Sequence, residues 1–235
     1  VEIGDQLWMK ENLKVAHYRN GEAIANITNN NQWGILATGA YGDINNDPNI
    51  SNTEYGRLYN GYAVIDERGI CPEGWRVPNN QDWNILISSI SSSDPASYLS
   101  GYSELWNDGY LENSPDFELS GFDAVPSGGR DDVWGSYSWF GSNASFWKDS
   151  GDAIIWLDYN STSIFTYNRS SNYGFSIRCI EGSCLEDNCG TCDFDLTNDC
   201  VQDCNGVWGG DAIPDCSGEC NGNAIEDECG ECNGD

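Results

Sequence analysis

Three groups of side chains in this sequence have types and spacings that could do chemistry. The first is the run Asp43-Ile-Asn45-Asn-Asp47-Pro-Asn49-Ile-Ser51-Asn-Thr-Glu54. Oxygen-bearing side chains stand at positions 1, 3, 5, 7, 9 and 12 of that twelve-residue stretch, the ligand spacing of a calcium loop. Asp43, Asn45, Asp47, Asn49 and Glu54 are the candidate ligands. Pro48 occupies the position where such a loop needs a glycine turn, and the flanks lack helical pattern. A polar surface turn at Asp47-Pro48 is therefore the competing reading.

The second group lies in residues 181–235, which hold 15 Asp and Glu, no Lys or Arg, and nine of the eleven Cys. Asp211, Asp215, Asn223 and Asp227 recur within a repeat. Bound Ca²⁺ would neutralise mutual repulsion among these carboxylates and tie down a segment with little apolar content. A disulfide-only segment or a flexible acidic linker is the plainer alternative. Zinc held through Cys189, Cys192, Cys229 and Cys232 is a third reading, weakened by the lack of any tail His. An odd number of tail Cys leaves one without an internal partner.

The third group is the stretch 139–172, where Trp139, Trp147, Tyr159 and Tyr167 alternate with Asn160, Asn168, Arg169 and Asn172. Flat rings stack on the apolar faces of sugars and amides bond hydroxyls; the same residue types also make adaptable protein-binding surfaces. Against this, strand alternation demands that some of these rings be core. Tyr159, Asn160, Asn168 and Arg169 fall in expected turns and are the foremost exposed candidates. Catalysis has little support. With one His in the chain, His17, no Ser/His/Asp template can be assigned, and a carboxylate pair among 38 acids means nothing without geometry.

The elements that must position these groups differ along the chain. Residues 1–180 contain all 10 basic side chains and 27 of the 29 aromatics, so a core is feasible there and not beyond. A formal charge of −28 argues against nucleic-acid binding. No apolar run approaches the ~20 residues that span a bilayer, so membrane insertion is not expected. Eleven Cys point to an oxidising, extracellular or cell-surface location. The expected fold class is α+β. Val1, Ile3, Leu7, Met9, Leu13 and Val15 approach period 2 and predict short strands. Trp83, Leu86, Ile87 and Ile90 predict a helix over 80–91, capped by Asn79 or Asn80, and Asp94-Pro95 opens a second. Residues 153–158 and 163–167 predict hairpin arms, and 174–180 a closing strand. From 181 onward a unit of twelve recurs, as in Gly210-Asp-Ala-Ile-Pro-Asp215 and Gly222-Asn-Ala-Ile-Glu-Asp227. The lone Met is internal and the repeats stop within a unit, so the sequence reads as a piece of a longer chain.

Several blocks of the front segment carry a resemblance: Ile3-Gly-Asp-Gln-Leu-Trp8-Met-Lys-Glu-Asn12, Tyr55-Gly-Arg-Leu-Tyr-Asn60-Gly-Tyr-Ala-Val, Cys71-Pro-Glu-Gly-Trp75-Arg-Val-Pro78, Gly121-Phe122, Pro126-Ser-Gly-Gly-Arg130 and Gly174-Phe-Ser-Ile-Arg-Cys179. Residues 1–180 resemble the Fibrobacter succinogenes major paralogous domain. The resemblance implies a bacterial secreted module with a C-type-lectin-like fold and antiparallel sheets. It also implies that chain ends meet, so that Cys71 and Cys179 can form a disulfide; a redox or copper-binding pair is the alternative. In lectin-like folds the 139–172 region supplies ligand-facing loops. Residues 181–235 resemble acidic, calcium-wrapping thrombospondin-type repeats. The expectation is thus a non-catalytic adhesion module for a glycan or surface protein, joined to neighbouring domains or chains by a calcium-stiffened spacer. A structural subunit of an extracellular fibre is the second reading, and an oxidase or hydrolase on the same fold the third.

Overall fold

Pro78-Asn79 starts the longest helix of the protein, and the start is built by side chains. In the computed structural model, which describes residues 1–182, 185–186, 192–193 and 201–232 apart from 226 and 229, the helix spans Asn80–Ser89. The Asn79 side chain accepts from the N–H of Gln81 and Asp82 at 2.8 and 3.0 Å, and Asp82 accepts from the Asn79 N–H at 2.6 Å. Such a reciprocal cap satisfies donors that the first turn would leave open, and losing it costs about 1 kcal/mol. Asp82 also takes two bonds from Arg76, so the cap is tied to the Trp75–Arg76 strand. Trp83 and Leu86 point inward. The second helix, Pro95–Leu99, has Pro in its first turn as the sequence predicts.

The chain divides into two compact units, Val1–Gly182 and Ser183–Asp235. The first is mixed α+β and mostly sheet. Its largest sheet runs in the order Ala25–Asn26, Ala40–Gly42, Leu58–Asn60, Gly174–Phe175, Gly129–Arg130, Tyr137–Ser138. A second sheet is antiparallel, with Ala153–Asp158 between Asn143–Trp147 and Phe165–Asn168. Ile154 and Trp156 of the middle strand enter one apolar cluster with Tyr59, Trp147 and Phe175, while Ile155 and Leu157 enter another with Trp8, Trp83, Phe122 and Phe146. A strand covered on both faces reads as a continuous apolar run, and Ile-Ile-Trp-Leu does. Cys71 and Cys179, both buried, are joined across 108 residues of sequence. Closing so long a loop contributes about 4–5 kcal/mol in the chain-entropy picture.

Arg178 of the closing block and Asn12 of the opening block serve the fold together. Arg178, fully enclosed, donates to Oδ1 of Asn12 through Nε at 3.1 Å and through Nη2 at 2.5 Å, and to the carbonyls of Phe122 and Asp123, with the rings of Phe122 and Phe146 against it. Burial pushes its pKa down. Asn12 in turn donates to Tyr55 O and to the hydroxyls of Ser127 and Ser176. The opening strands depart from strict alternation. Glu2–Ile3 and Gln6–Leu7 form a hairpin about Gly4-Asp5, which shifts the inward parity. Leu7 is thereby exposed and Trp8 takes its place in the core.

In the second unit the twelve-residue repeat becomes a repeated turn. Asp203, Asp215 and Asp227 each donate N–H to the carbonyl four residues on, and each accepts at O from the N–H of Gly206, Gly218 and Gly230 respectively. Those three glycines have φ of 78°, 85° and 83°, a left-handed backbone that glycine adopts without a Cβ penalty. Disulfides Cys204–Cys220 and Cys216–Cys232 each span 16 residues and step from one repeat to the next. Val201, Ile213 and Ile225 are exposed, so burial contributes little here. The partners of Cys184, Cys189, Cys192, Cys200 and Cys229, and the zinc reading, lie outside the described residues.

Candidate functional site

Which of the 139–172 rings reach the surface is decided by the sheet. Trp147 faces the core with no exposed area and donates Nε1–H to Tyr59 O at 2.7 Å. The sequence placed it among ligand-facing residues; the structure corrects this, because Trp147 ends a strand wholly covered by both layers. Trp156, paired opposite Phe165, forms the floor of an exposed aromatic face. Trp139 crosses it edge-on at 5.4 Å and Tyr167 at 6.0 Å. Tyr167 stacks with Phe165 on the Phe165–Asn168 edge strand. Trp139 is 39% and Tyr167 38% exposed.

Trp139 is held there by a tight loop. Its backbone is left-handed, φ 63°, a conformation that a bulky residue adopts only where its surroundings impose it. Ser142 and Asn143 both donate N–H to Trp139 O, and the N–H groups of Gly128 and Gly141 bond Asn143 O and Pro126 O. A Cβ on Gly128 would lie 2.4 Å from Ser138 O, so glycine is required for the loop to close.

Arg169 completes the face. Its N–H bonds Asp152 O at 2.7 Å, fixing it beside the Ala153–Asn168 pair. The guanidinium lies 4.9 Å from the Tyr167 ring, 5.8 Å from Tyr173 and 5.9 Å from Trp156. Burial pushes the Tyr173 phenol up, with Asp132 and Asp131 adding to the effect. Asn168 is exposed at the same end. Of the other expected ligand residues, Asn172 is a tie. It donates to Leu36 O at 2.7 Å and accepts at its own carbonyl from Trp33 Nε1–H. Tyr159 and Asn160 follow the far end of the Ala153–Asp158 strand, and the Tyr159 ring packs against the other apolar cluster, the one with Trp8 and Trp83. The structure thus brings together Trp139, Tyr167 and Arg169, adds Trp156, Phe165 and Tyr173, and separates Tyr159 and Asn160; Asn168, next to Tyr167 on one strand, alternates to the other side of the sheet.

Beside that far end lies an open cleft of about 510 Å³ lined by Asp94, Tyr110, Asn113, Ser114, Ser161 and Thr162. No sequence motif signals it, because three distant segments assemble it. Asp94 already accepts from the Ser114 hydroxyl at 2.6 Å.

In the oxygen-rich run several of the expected ligands have partners within the chain. Asp43 is buried and takes Arg57 at 3.2 Å and the Asn26 amide at 3.1 Å. Asn45 lies in a 3-10 turn, Ile44–Asn46, and Asp47 caps the short Pro48–Ser51 helix by accepting from the Asn49 N–H. The Asn49 side chain folds back on Asp47 at 2.9 Å, and Glu54 is exposed. The spacing of a calcium loop is present, yet Asp43 is directed to an Arg and Asp47 to a helix start. Among the described residues no three His, Cys, Asp or Glu side chains converge.

The tail carboxylates have backbone partners. Asp203 accepts from the N–H of Asn205 and Val207 at one oxygen and of Ala212 at the other. Asp215 repeats this twelve residues on with Ser217, Glu219 and Ala224, and Asp227 accepts from Glu231. Bonds from Ser217 and from backbone N–H groups pull the Asp215 pKa down to about 2. Asp203, which the sequence reading missed, belongs to this series. Asp211 and Asn223, expected as ligands, hang outside it, both exposed.

Residues 1–181 match a family model described as the Fibrobacter succinogenes major domain. No curated protein and no solved structure matches the chain.

Proposed function

Taking as premise that the chain belongs to the Fibrobacter succinogenes major domain family, we propose that its front unit is a non-catalytic extracellular binding module of lectin-like type that holds a glycan on the Trp139–Tyr167–Arg169 face. The family name carries no activity, so the reading stands on the face itself. One observation carries it: two half-exposed rings, Trp139 on a strained backbone and Tyr167 beside the Arg169 guanidinium, stand edge-on to Trp156 on the sheet. Rings on a rigid support offer stacking area at low entropic cost, which is what weak, repeated sugar contacts need. Three disulfides among the described residues indicate an oxidising environment, and no helix among them is long and apolar enough to cross a membrane.

In this account the repeats are a spacer between the module and its neighbours. Their shape comes from staggered disulfides and Asp-to-amide bonds. Calcium, expected from the carboxylate count, is not required to hold the turns at Asp203, Asp215 or Asp227, because backbone N–H bonds to these carboxylates already close them.

A glycan array probed with the full chain and with Trp139→Ala/Tyr167→Ala tests the proposal. The double variant should lose its array signals while its melting temperature stays within a few degrees. Signals that survive both truncations remove the face from the reading, and concentration-dependent self-association in sedimentation with no glycan bound favours a fibre subunit instead.

A further inference from the structure

The ten cations of this chain are not treated alike. Lys10, Lys14, Arg57, Arg68 and Arg76 each pair with a carboxylate. Arg19 bonds the carbonyls of Cys71 and Trp75, and Lys148 the Asn80 side chain. Arg130 and Arg178 are buried on carbonyls and amides. Among the described residues only the Arg169 side chain has no polar partner beyond its neighbour in sequence, bonding Asn168 O at 3.2 Å.

Acids outnumber bases 38 to 10, and the other cations have found either a carboxylate or a set of carbonyls and amides. The Arg169 side chain has neither. Its Nε is shielded from water and has no partner, and of its five N–H donors one is used. The three rings orient the guanidinium by cation–π attraction but do not neutralise its charge or take its N–H groups.

We propose that the ligand of this face is an acidic saccharide whose carboxylate or sulfate pairs with Arg169 while its ring lies on Tyr167 or Trp139. The proposal deepens the binding reading above and rests on it. A planar fork of donors matches a carboxylate or sulfate through two parallel bonds, which a neutral hydroxyl cannot supply. The flat, ring-paved face suits a sugar. A peptide's side chains would call for pockets, and the cleft of about 510 Å³ is lined by other residues.

The test is calorimetric titration of the full chain with an oligogalacturonate, a sulfated galactan oligomer and a neutral galactan oligomer of equal length, with oligoglutamate as the acidic peptide. At least one acidic oligosaccharide should bind about tenfold or more tightly than the neutral one, the scale of one charge-assisted pair. Arg169→Gln should erase that difference, Arg169→Lys should restore part of it, and both should melt with the parent chain. Equal affinity for acidic and neutral oligomers, or indifference to Arg169→Gln, overturns the anionic ligand while leaving the ring face standing. Binding indifferent to Trp139→Ala/Tyr167→Ala as well overturns the face itself. Binding of oligoglutamate as tight as that of the best saccharide, or binding of none of the four, overturns the ligand class.

Discussion

Arg178 and Arg130 in the front unit and Asp203 and Asp215 in the repeats hold corresponding positions in their surroundings. Each is a charged side chain at the centre of irregular backbone whose polar groups need partners. The two arginines donate to carbonyls of Phe122, Asp123, Ile27 and Gly135. The two aspartates accept from N–H groups of Val207, Ala212, Glu219 and Ala224. The surroundings differ in water. Both arginines lie within apolar and aromatic walls, where an unmet polar group is expensive. The aspartates lie in largely exposed turns, where N–H groups can fall back on solvent. A charged hub can thus organise loops in either setting. In one the apolar core limits the chain's freedom, in the other the disulfides do.

The largest expected effect separates these settings at Arg178. Arg178→Met keeps much of the volume but leaves Phe122 O, Asp123 O and the Asn12 Oδ1 without donors. At ~1–3 kcal/mol for each buried group left unmet, the front unit should lose about 3–5 kcal/mol of stability. Urea unfolding followed by Trp fluorescence measures this. Amide exchange at Ser217, Glu219 and Ala224 should be unchanged in the same variant. A loss below ~1 kcal/mol would mean that Asn12 and the two rings hold this region without the cation.

An intermediate effect is expected at Asp215 and depends on pH. Its folded pKa, about 2, lies below the ordinary 3.8, because bonds from Ser217, Ala224 and Glu219 favour the carboxylate. Where the folded pKa is depressed, the unfolded state binds more protons between the two values. The contribution is therefore fully present above about pH 4 and lost as pH falls toward 2. Amide exchange at Ser217, Glu219 and Ala224 should accelerate over that window, after correction for intrinsic rates. Asp215→Asn should show the acid behaviour at neutral pH. Flat protection from pH 4 to 2 would return the shape of the turn to the disulfides alone.

What could be read from the sequence follows the same division between local and distant partners. The Asn80–Ser89 helix was legible because its periodicity, its Asn79 cap and its Asp82 reach lie within ten residues. Period 2 failed at Leu7 because the Gly4-Asp5 turn resets the inward face, which local pattern does not show. Trp139 and Trp147 are the same residue type in the same stretch, and only the packing of two sheets distinguishes an exposed ring from a core one. Asp43 had the spacing of a ligand, but the guanidinium that claims it comes fourteen residues later, at Arg57. The repeat period gave away the tail's units. It did not give the partners of Asp203 or Asp215, since backbone N–H donors leave no mark on residue identity.

The smallest expected effect is on removing divalent cations, and it sharpens the contrast between hubs most directly. Both oxygens of Asp203 and of Asp215 already take amide hydrogens, so these turns close on bonds within the chain and do not require an ion. The close approach of Gly210 and Gly222 strengthens the point: a Cβ there would meet the Asp203 and Asp215 carboxylates at 2.1 and 1.9 Å. Those carboxylates are drawn into the backbone and away from a position where an ion could collect further ligands. EDTA should therefore leave protease resistance and amide protection of residues 201–232 unchanged, whereas a disulfide reductant should abolish both. If EDTA opens the repeats while the disulfides stay intact, calcium is the hub after all. Asp211 and Asn223, which take no part in the amide network described, would then be the first residues to replace.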